Sequence, residues 1–239
     1  MRNAQMLSMA ASLLLISGLS GISQANAALV FTDTTFNDSE WSLTTVLFGG
    51  GGAASVSQTV SGGNPGAYCA YTHTITPTVT QSAAVNVFHI RGDAIYYPAT
   101  QGAISSVAYA EDTFTKSLGW GNQIGAGLAL RQDGILYYGG YRIDAGSSWT
   151  THNYSSLTAS DFLDVGGSLH PDFSSSASPI TFGFLRANSE PAGHNWSAQV
   201  AGGTDNWQVT VTPVPEPATL TILAIGLSSL AVRNRQQNH

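Results

Sequence analysis

The sequence predicts an all-β protein whose folded part is an antiparallel β-sandwich. Short segments that alternate apolar and polar residues, rich in β-branched and aromatic side chains, recur at a spacing of roughly 8–15 residues. Clusters of Gly, Asn and Pro, which favour turns, separate these segments. Between the two ends of the chain, no window of eleven or more residues carries a helical period.

Ten segments carry the strand pattern. In chain order they are 41–47, 53–60, 67–75, 83–90, 104–109, 126–131, 135–138, 149–154, 180–185 and 207–212. The stretch 157–163 is predicted to form one short helical turn. We place all ten strands in one ectodomain, 28–212, which is long enough to bury a sizeable core.

The N-terminal segment 1–27 has the features of a secretory signal peptide. Arg2 precedes an apolar stretch centred on 13–16, and Ala25 and Ala27 provide the small residues of a cleavage site before Ala28. We expect the mature chain to begin near Ala28, outside the cytoplasm. An uncleaved N-terminal anchor is the alternative.

The C-terminal segment has three parts in a fixed order. Val214, Pro215, Glu216 and Pro217 belong to a linker, 213–217, and the run 218–232 that follows carries no formal charge. A helix of this length spans about 22 Å, which is short against a hydrocarbon core of about 30 Å. The prolines separate it from the preceding strand.

Arg233 and Arg235 close this apolar run and can reach the headgroups on the cytoplasmic side of a membrane. We therefore expect a single transmembrane helix with its basic cluster over 218–235, followed by a polar tail, 236–239. A buried core helix is the alternative.

The order of proline-rich motif, apolar run and basic cluster resembles the PEP-CTERM sorting signal of Gram-negative bacteria. The resemblance implies that an exosortase at the inner membrane processes the chain near 214–217. It also implies that the C-terminal helix contacts the membrane only before processing. The expected destination is the cell surface or the extracellular polysaccharide matrix.

The composition of the ectodomain limits its partners. Setting aside Arg2, Arg233, Arg235 and Glu216 leaves five basic and thirteen acidic residues, a net charge of −8. Such a field disfavours nucleic acid as a partner. Cys69 is the only cysteine, so no intramolecular disulfide can form, and we interpret it as a small buried apolar residue.

Three segments, 36–41, 62–68 and 205–209, resemble parts of concanavalin A-like or galactose-binding-like jelly rolls. The resemblance implies a jelly-roll sandwich in which the first and last strands pair. That pairing would bring Trp41 and Trp207 into one neighbourhood, where core packing is favoured over a ligand platform.

The search for catalytic motifs favours a protein that is not an enzyme. The sequence contains no Gly-x-Ser-x-Gly, His-Glu-x-x-His or Cys-x-x-Cys motif. Glu111 and Asp112 are adjacent, so on a strand they would point to opposite faces and could not form a retaining carboxylate pair. We interpret both as surface charges at a strand end, and a glycoside hydrolase is the least favoured alternative.

No cofactor is predicted apart from a possible structural calcium ion. Asp38 and Glu40 would share one face of an extended segment, and Asp205 could join them through pairing of the first and last strands. Turn capping by Asp38 is the alternative. The histidines show no metal-ligand spacing, and His170 is interpreted as a solvated loop residue.

Aromatic residues beside glycine-rich turns provide the functional hypothesis. Sugars present apolar ring faces on which Tyr and Trp can stack. The candidates for glycan stacking are Tyr137, Tyr138, Tyr141 and Trp149; further aromatics considered are Tyr96, Tyr97, Trp120, Tyr154 and Trp196. A polysaccharide is therefore the predicted ligand. The alternative is a structural matrix or adhesion protein that binds no glycan and assembles through strand edges.

Overall fold

Twelve strands make up almost all of the secondary structure in the computed structural model, which describes residues 27–117 and 123–215. They are β1 Leu29–Asp33, β2 Trp41–Gly49, β3 Gly52–Gly63, β4 Gly66–Ile75, β5 Ala83–Tyr96, β6 Ile104–Ser117, β7 Ile124–Gln132, β8 Ile135–Asp144, β9 Thr150–Leu157, β10 Phe162–Asp164, β11 Ile180–Glu190 and β12 Ala198–Pro213. One short helix, α1 Pro98–Gln101, and 3₁₀ turns at Asp38–Glu40 and Ala159–Asp161 complete them.

The strands form two six-stranded antiparallel sheets that face each other. Sheet A has the order β3-β4-β12-β6-β9, with β1 also pairing with β12, and sheet B has the order β10-β8-β7-β11-β5-β2. Ala27–Val214 form a separate compact unit that contains both sheets. The all-β jelly-roll sandwich expected from the sequence is confirmed.

All ten predicted strands are present, but their lengths differ from the prediction and two strands were missed. β1 and β10 are five and three residues long, too short for a clear alternating pattern. β12 begins at Ala198, nine residues before the predicted start, in a stretch of small residues and glycines. The predicted helical turn corresponds to Ala159–Asp161, where Thr158 and Asp161 form a capping box.

The first and last strands pair, but the first strand is β1 and not the predicted strand 41–47, which lies in sheet B as β2. β1 runs antiparallel to β12 from Leu29 opposite Val211 to Asp33 opposite Trp207. The Trp41 and Trp207 rings meet edge to face, with centroids 5.3 Å apart. Trp207 is fully buried in the main core cluster, so its role is packing.

A buried network of charged side chains links the two sheets. Arg186 on β11 is fully buried, and its Nη2 donates to Oε2 of Glu111 on β6 at 2.5 Å and to the Thr204 hydroxyl at 2.6 Å. Arg142 on β8 donates to the other oxygen of Glu111 at 2.7 Å. The interpretation of Glu111 as a surface charge is therefore wrong.

The sequence could not reveal the burial of Glu111, because its partners lie 31 and 75 residues away. Asp112 is also buried, but it serves a different site. Its Oδ2 accepts hydrogen bonds from the side chains of Asn64 and Asn206. The expectation that Glu111 and Asp112 point to opposite faces agrees with these separate partners.

Removal of the Glu111 carboxylate should strongly destabilise the fold. In Glu111→Leu, the fully buried Arg186 loses its carboxylate partner, and an uncompensated buried charge costs about 3–5 kcal/mol. Chemical denaturation should show a fall of that size in the free energy of unfolding.

The double variant Glu111→Leu/Arg186→Met should regain most of this loss, since it also removes the fully buried Arg186 charge, while Arg142 keeps its 2.8 Å ion pair with Asp144. Glu190→Leu, at a position that forms no ion pair with the described residues, is the matched control. An unfolding free energy within about 1 kcal/mol of wild type for Glu111→Leu would contradict the assignment.

Two buried histidines make the stability depend on pH. Burial lowers the pKa of His73 to about 4, against the opposing effect of its 2.8 Å hydrogen bond to Asn188. Burial and the Arg186 charge place the pKa of His89 well below its ordinary value. Both side chains are therefore neutral in the folded protein at neutral pH.

The unfolding free energy should decrease as the pH falls from about 6.5 to about 4. In this range the unfolded chain binds a proton at His73 and the folded chain does not, so acid favours unfolding. The shift from 6.5 to about 4 corresponds to about 3 kcal/mol. Urea denaturation at pH 7 and pH 4 should show that the unfolding free energy of wild type falls by about 3 kcal/mol more than that of His73→Gln. Equal pH dependence of His73→Gln and wild type would contradict the assignment.

Candidate functional site

The outer face of sheet B, which points away from sheet A, carries an apolar cluster of its own. On β5, His89 faces inward, with its Nδ1 3.9 Å from Cys69 Sγ on sheet A, so Phe88 and Ile90 face outward. They pack with Ala129 on β7 and Leu185 on β11, and no residue of sheet A belongs to this cluster. We call this surface the outer B face.

Two of the predicted stacking residues lie on the outer B face. Tyr138 packs against its apolar cluster, and Tyr141 lies next to it, with ring centroids 5.9 Å apart at 66°. Tyr141 is about half exposed, at 48%. Tyr137 points the other way into the main core and is only 5% exposed, so it cannot stack on a ligand.

A groove of about 150 Å³ lies beside Tyr141. Asn86 on β5, Gln123 before β7 and Ser189 on β11 bring polar groups to it, and Ile143 adds an apolar wall. The side chains of Asn86 and Ser189 form no hydrogen bond with the described part of the chain. Their amide and hydroxyl groups are therefore available to a ligand.

Gly125 on β7 makes room for the Tyr141 ring. A Cβ atom at this position would lie 1.9 Å from the Tyr141 hydroxyl, so the ring rests directly over the backbone of β7. Burial, with a smaller effect of Tyr138, raises the pKa of Tyr141. The phenol is thus neutral and can both donate and accept a hydrogen bond.

This arrangement combines one exposed aromatic ring, uncharged hydrogen-bonding groups and the exposed apolar side chain of Ile143. Such a surface suits a ligand with apolar ring faces and hydroxyl edges. Sequence reasoning missed Asn86, Gln123 and Ser189, because they come from three distant segments. The alternating glycines Gly125 and Gly127 were the available signal, since glycines within a strand often mark a close approach.

Trp149 lies elsewhere, in an aromatic cluster built by sheet A. Its ring meets Phe114 at 4.6 Å and Tyr68 at 5.4 Å, both edge to face. Its Nε1 donates to the carbonyl oxygen of Gly62 at 3.1 Å. Trp149 therefore stabilises the turn between β3 and β4. The four predicted stacking residues do not lie in one site.

The other aromatics considered from the sequence also have separate locations. Tyr96 is fully buried in the core and Tyr97 is 47% exposed beside α1. Trp196 stacks on His194, with centroids 4.0 Å apart, and Tyr154 packs on Tyr109. Trp120 lies outside the described residues.

The three predicted calcium ligands have different partners. Asp38 accepts a hydrogen bond from the backbone amide of Gln58 at 2.7 Å, and Glu40 forms an ion pair with Arg91 at 3.3 Å. Asp205 accepts hydrogen bonds from the backbone N–H groups of Asn64 and Asn206 at 2.5 and 2.7 Å. Within 27–117 and 123–215, no three His, Cys, Asp or Glu side chains could hold one metal ion.

The calcium prediction assumed that the strand containing Asp38 and Glu40 would pair with the last strand. In the structure β1 pairs with β12, and β2, which follows Asp38 and Glu40, belongs to sheet B. The three carboxylates consequently do not form a single ligand set. Asp38 instead accepts a hydrogen bond from the backbone amide of Gln58 on β3, 20 residues further along the chain.

Cys69 behaves as the small buried residue predicted from the sequence. It is 6% exposed, and burial raises the pKa of its thiol to about 12. Such a thiol is not reactive at neutral pH. His170 is exposed, and its Nδ1 lies 2.6 Å from the Phe162 carbonyl oxygen.

Most of the predicted targeting segments lie outside the described residues. These include Ala25, Glu216, Pro217, Arg233 and Arg235. Within the part of the chain that the structure describes, no helix has the length and apolar character to cross a membrane. β12 runs to Pro213, and the Val214 amide donates to the Ala103 carbonyl oxygen at 2.7 Å, so the fold extends slightly beyond the predicted boundary at 212.

Residues 213–236 match the model of the PEP-CTERM protein-sorting motif. The match confirms the sorting signal recognised in the C-terminal sequence. None of the curated proteins matches the chain significantly.

The fold is similar to solved carbohydrate-binding modules. One is the family 11 module of the cellulase Lic26A-Cel5E of Clostridium thermocellum, with TM-score 0.41 and 14% identity over 79% of this chain and 99% of that chain. Another is the xylan-binding CBM22-1 domain of Paenibacillus barcinonensis Xyn10C, with TM-score 0.36 and 11% identity over 80% and 99%. The mannan-binding module TmCBM27 has TM-score 0.37 and 7% identity over 77% and 98%.

Proposed function

We propose that this chain is an exported protein that binds carbohydrate through the outer B face. The observation that supports the proposal is the half-exposed Tyr141 ring beside a groove with free Asn86 and Ser189 side chains. The ring would stack on the apolar face of a sugar. The amide and hydroxyl groups would bind its hydroxyls.

The electrostatics of the groove suit a neutral polysaccharide. Among the described residues that line it, no side chain is charged, so binding would depend on stacking and hydrogen bonds rather than on ion pairing. Weak binding by a single sugar unit is expected, since only one ring of the described groove lining can stack on it. The partly exposed Tyr138 ring, 5.9 Å from that of Tyr141, would give a longer glycan a second place to pack.

The sorting motif supports the proposed route to this ligand. The chain would be exported by its signal peptide, held at the inner membrane of a Gram-negative cell by the segment 218–235, and cut by an exosortase near 214–217. The folded unit would then reach the cell surface or the extracellular polysaccharide matrix. The compact unit Ala27–Val214 contains the whole sandwich, so the product would keep its fold. No role as an enzyme is proposed.

Tyr141→Ala should weaken retention on a polysaccharide affinity gel by about tenfold, the effect of about 1.4 kcal/mol. A glycan array on residues 28–214 would first select the polysaccharide. Tyr141→Phe keeps the ring and should retain most of the binding. Gly125→Val should weaken it as Tyr141→Ala does, because the added side chain displaces the Tyr141 ring.

Tyr97→Ala is the matched control, since Tyr97 is equally exposed but is not part of the groove lining. It should bind as wild type. No array hit for the wild-type fragment, or equal retention of Tyr141→Ala and wild type, would refute carbohydrate binding by this face.

Mass spectrometry of the protein from its native host should detect neither 1–27 nor 219–239 in the mature form. A strain that lacks the exosortase should accumulate a membrane-bound form that retains 219–239. Persistence of both terminal segments in a soluble form of the wild-type strain would contradict the proposed route.

A further inference from the structure

The outer edges of the two sheets differ in how they are protected from pairing with another strand. β10 is only three residues long, and in β9 Ser156 adopts a left-handed conformation with φ 61°. On β3, the backbone amide of Gln58 already donates a hydrogen bond to the Asp38 carboxylate at 2.7 Å. Short strands, irregular backbone and occupied amides all hinder pairing at an edge.

β2 lacks these protections up to its last residue, Gly49, which has φ 71°. It is nine residues long, contains no charged residue and no proline, and pairs with β5 from Trp41 opposite Arg91 to Gly49 opposite Ala83 without a register shift. Among the described residues, no strand pairs with its other edge. Alternate residues of β2 therefore present unpaired backbone groups.

The side chains of β2 add apolar surface to this edge. Leu43 and Leu47 are each 49% exposed on one face of the strand, and Phe48 is 45% exposed on the other. An extended, uncharged and partly apolar edge is the kind that binds another strand.

We propose that β2 pairs antiparallel with β2 of a second copy of this chain, about a two-fold axis at Thr45. Sheet B would then continue across both copies. The strand is self-complementary in this register, because Leu43 would lie opposite the partner's Leu47 and Thr45 opposite the partner's Thr45. On the other face, Thr44 would lie opposite the partner's Val46. Such a pair is the isologous contact of a two-fold dimer.

Charge favours the antiparallel over the parallel orientation of the two β2 strands. Asp38, Glu40 and Arg91 all lie at the Trp41 end of β2. Antiparallel pairing places that end against the partner's glycine turn, Gly49–Gly52, which has no charged residue. Parallel pairing would instead bring the two acidic ends together.

Cysteine cross-linking can test both the pairing and its register. The single native cysteine, Cys69, is buried, so new cysteines give a clean signal. Under mild oxidation of the full chain and of fragment 28–214, Thr45→Cys should form a disulfide-linked dimer at least ten times faster than Val60→Cys. Val60 is 77% exposed on β3 and is the matched control.

Leu43→Cys and Leu47→Cys should cross-link quickly when mixed and slowly alone, because residue 43 lies opposite the partner's 47 in the proposed register. Sedimentation velocity should show a dimer for wild type and a monomer for Thr45→Lys, which places two charges across the axis. Circular dichroism would verify that Thr45→Lys is folded.

Equal rates for Thr45→Cys and Val60→Cys, or a monomeric wild type at all concentrations, would overturn the proposal. Faster cross-linking of Leu43→Cys alone than of the mixture would overturn the register. None of these readouts involves a glycan, so they stand apart from the tests of carbohydrate binding.

Discussion

The buried interaction between Glu111 and two arginines determines which side chains reach the outer B face. Arg142 and Arg186 point inward to bind Glu111 across the sandwich. Because side chains alternate along a strand, their neighbours Tyr141 and Ala187 must point outward. A slip of one residue in β8 would bury Tyr141 and expose Arg142, and the same slip in β11 would bury Ala187 and expose Arg186. The ion pairs therefore hold the register on which the groove depends.

The groove also depends on what lies beneath it. Gly125 lets the Tyr141 ring rest on β7, and Asn86 lies between Val85 and Val87, whose side chains pack against sheet A. Tyr141 and Asn86 are therefore placed by well-packed strands rather than by loops. A binding surface built this way is largely formed before the ligand arrives.

The sequence was most informative where local patterns decide the structure. Alternation and turn chemistry located ten strands, and the jelly-roll resemblance implied the contact between Trp41 and Trp207. Tyr138 and Tyr141 could be selected, but adjacent residues on a strand face opposite ways, so Tyr137 was assigned to the wrong side. The short pattern of β8 did not reveal which tyrosine of the pair was buried.

Long-range pairing was the part that could not be predicted. The order of the strands determines all of these relations: the partners of Glu111, the separation of Asp205 from Asp38 and Glu40, and the proximity of Asn86 and Ser189. The calcium hypothesis depends on the prediction that the strand of Trp41 pairs with the last strand, and that prediction is wrong. β1 is the strand that pairs with β12, and its five residues are too few for a recognisable alternation of apolar and polar residues.

The most direct test of carbohydrate binding by the outer B face is chemical-shift mapping by NMR of residues 28–214 titrated with a fragment of the host's own exopolysaccharide. The account predicts that the largest shifts cluster at Asn86, Gly125, Tyr141 and Ser189 and spread toward Tyr138. Shifts centred on Tyr68, Phe114 and Trp149 of sheet A, or the absence of any shift at saturating fragment, would contradict it.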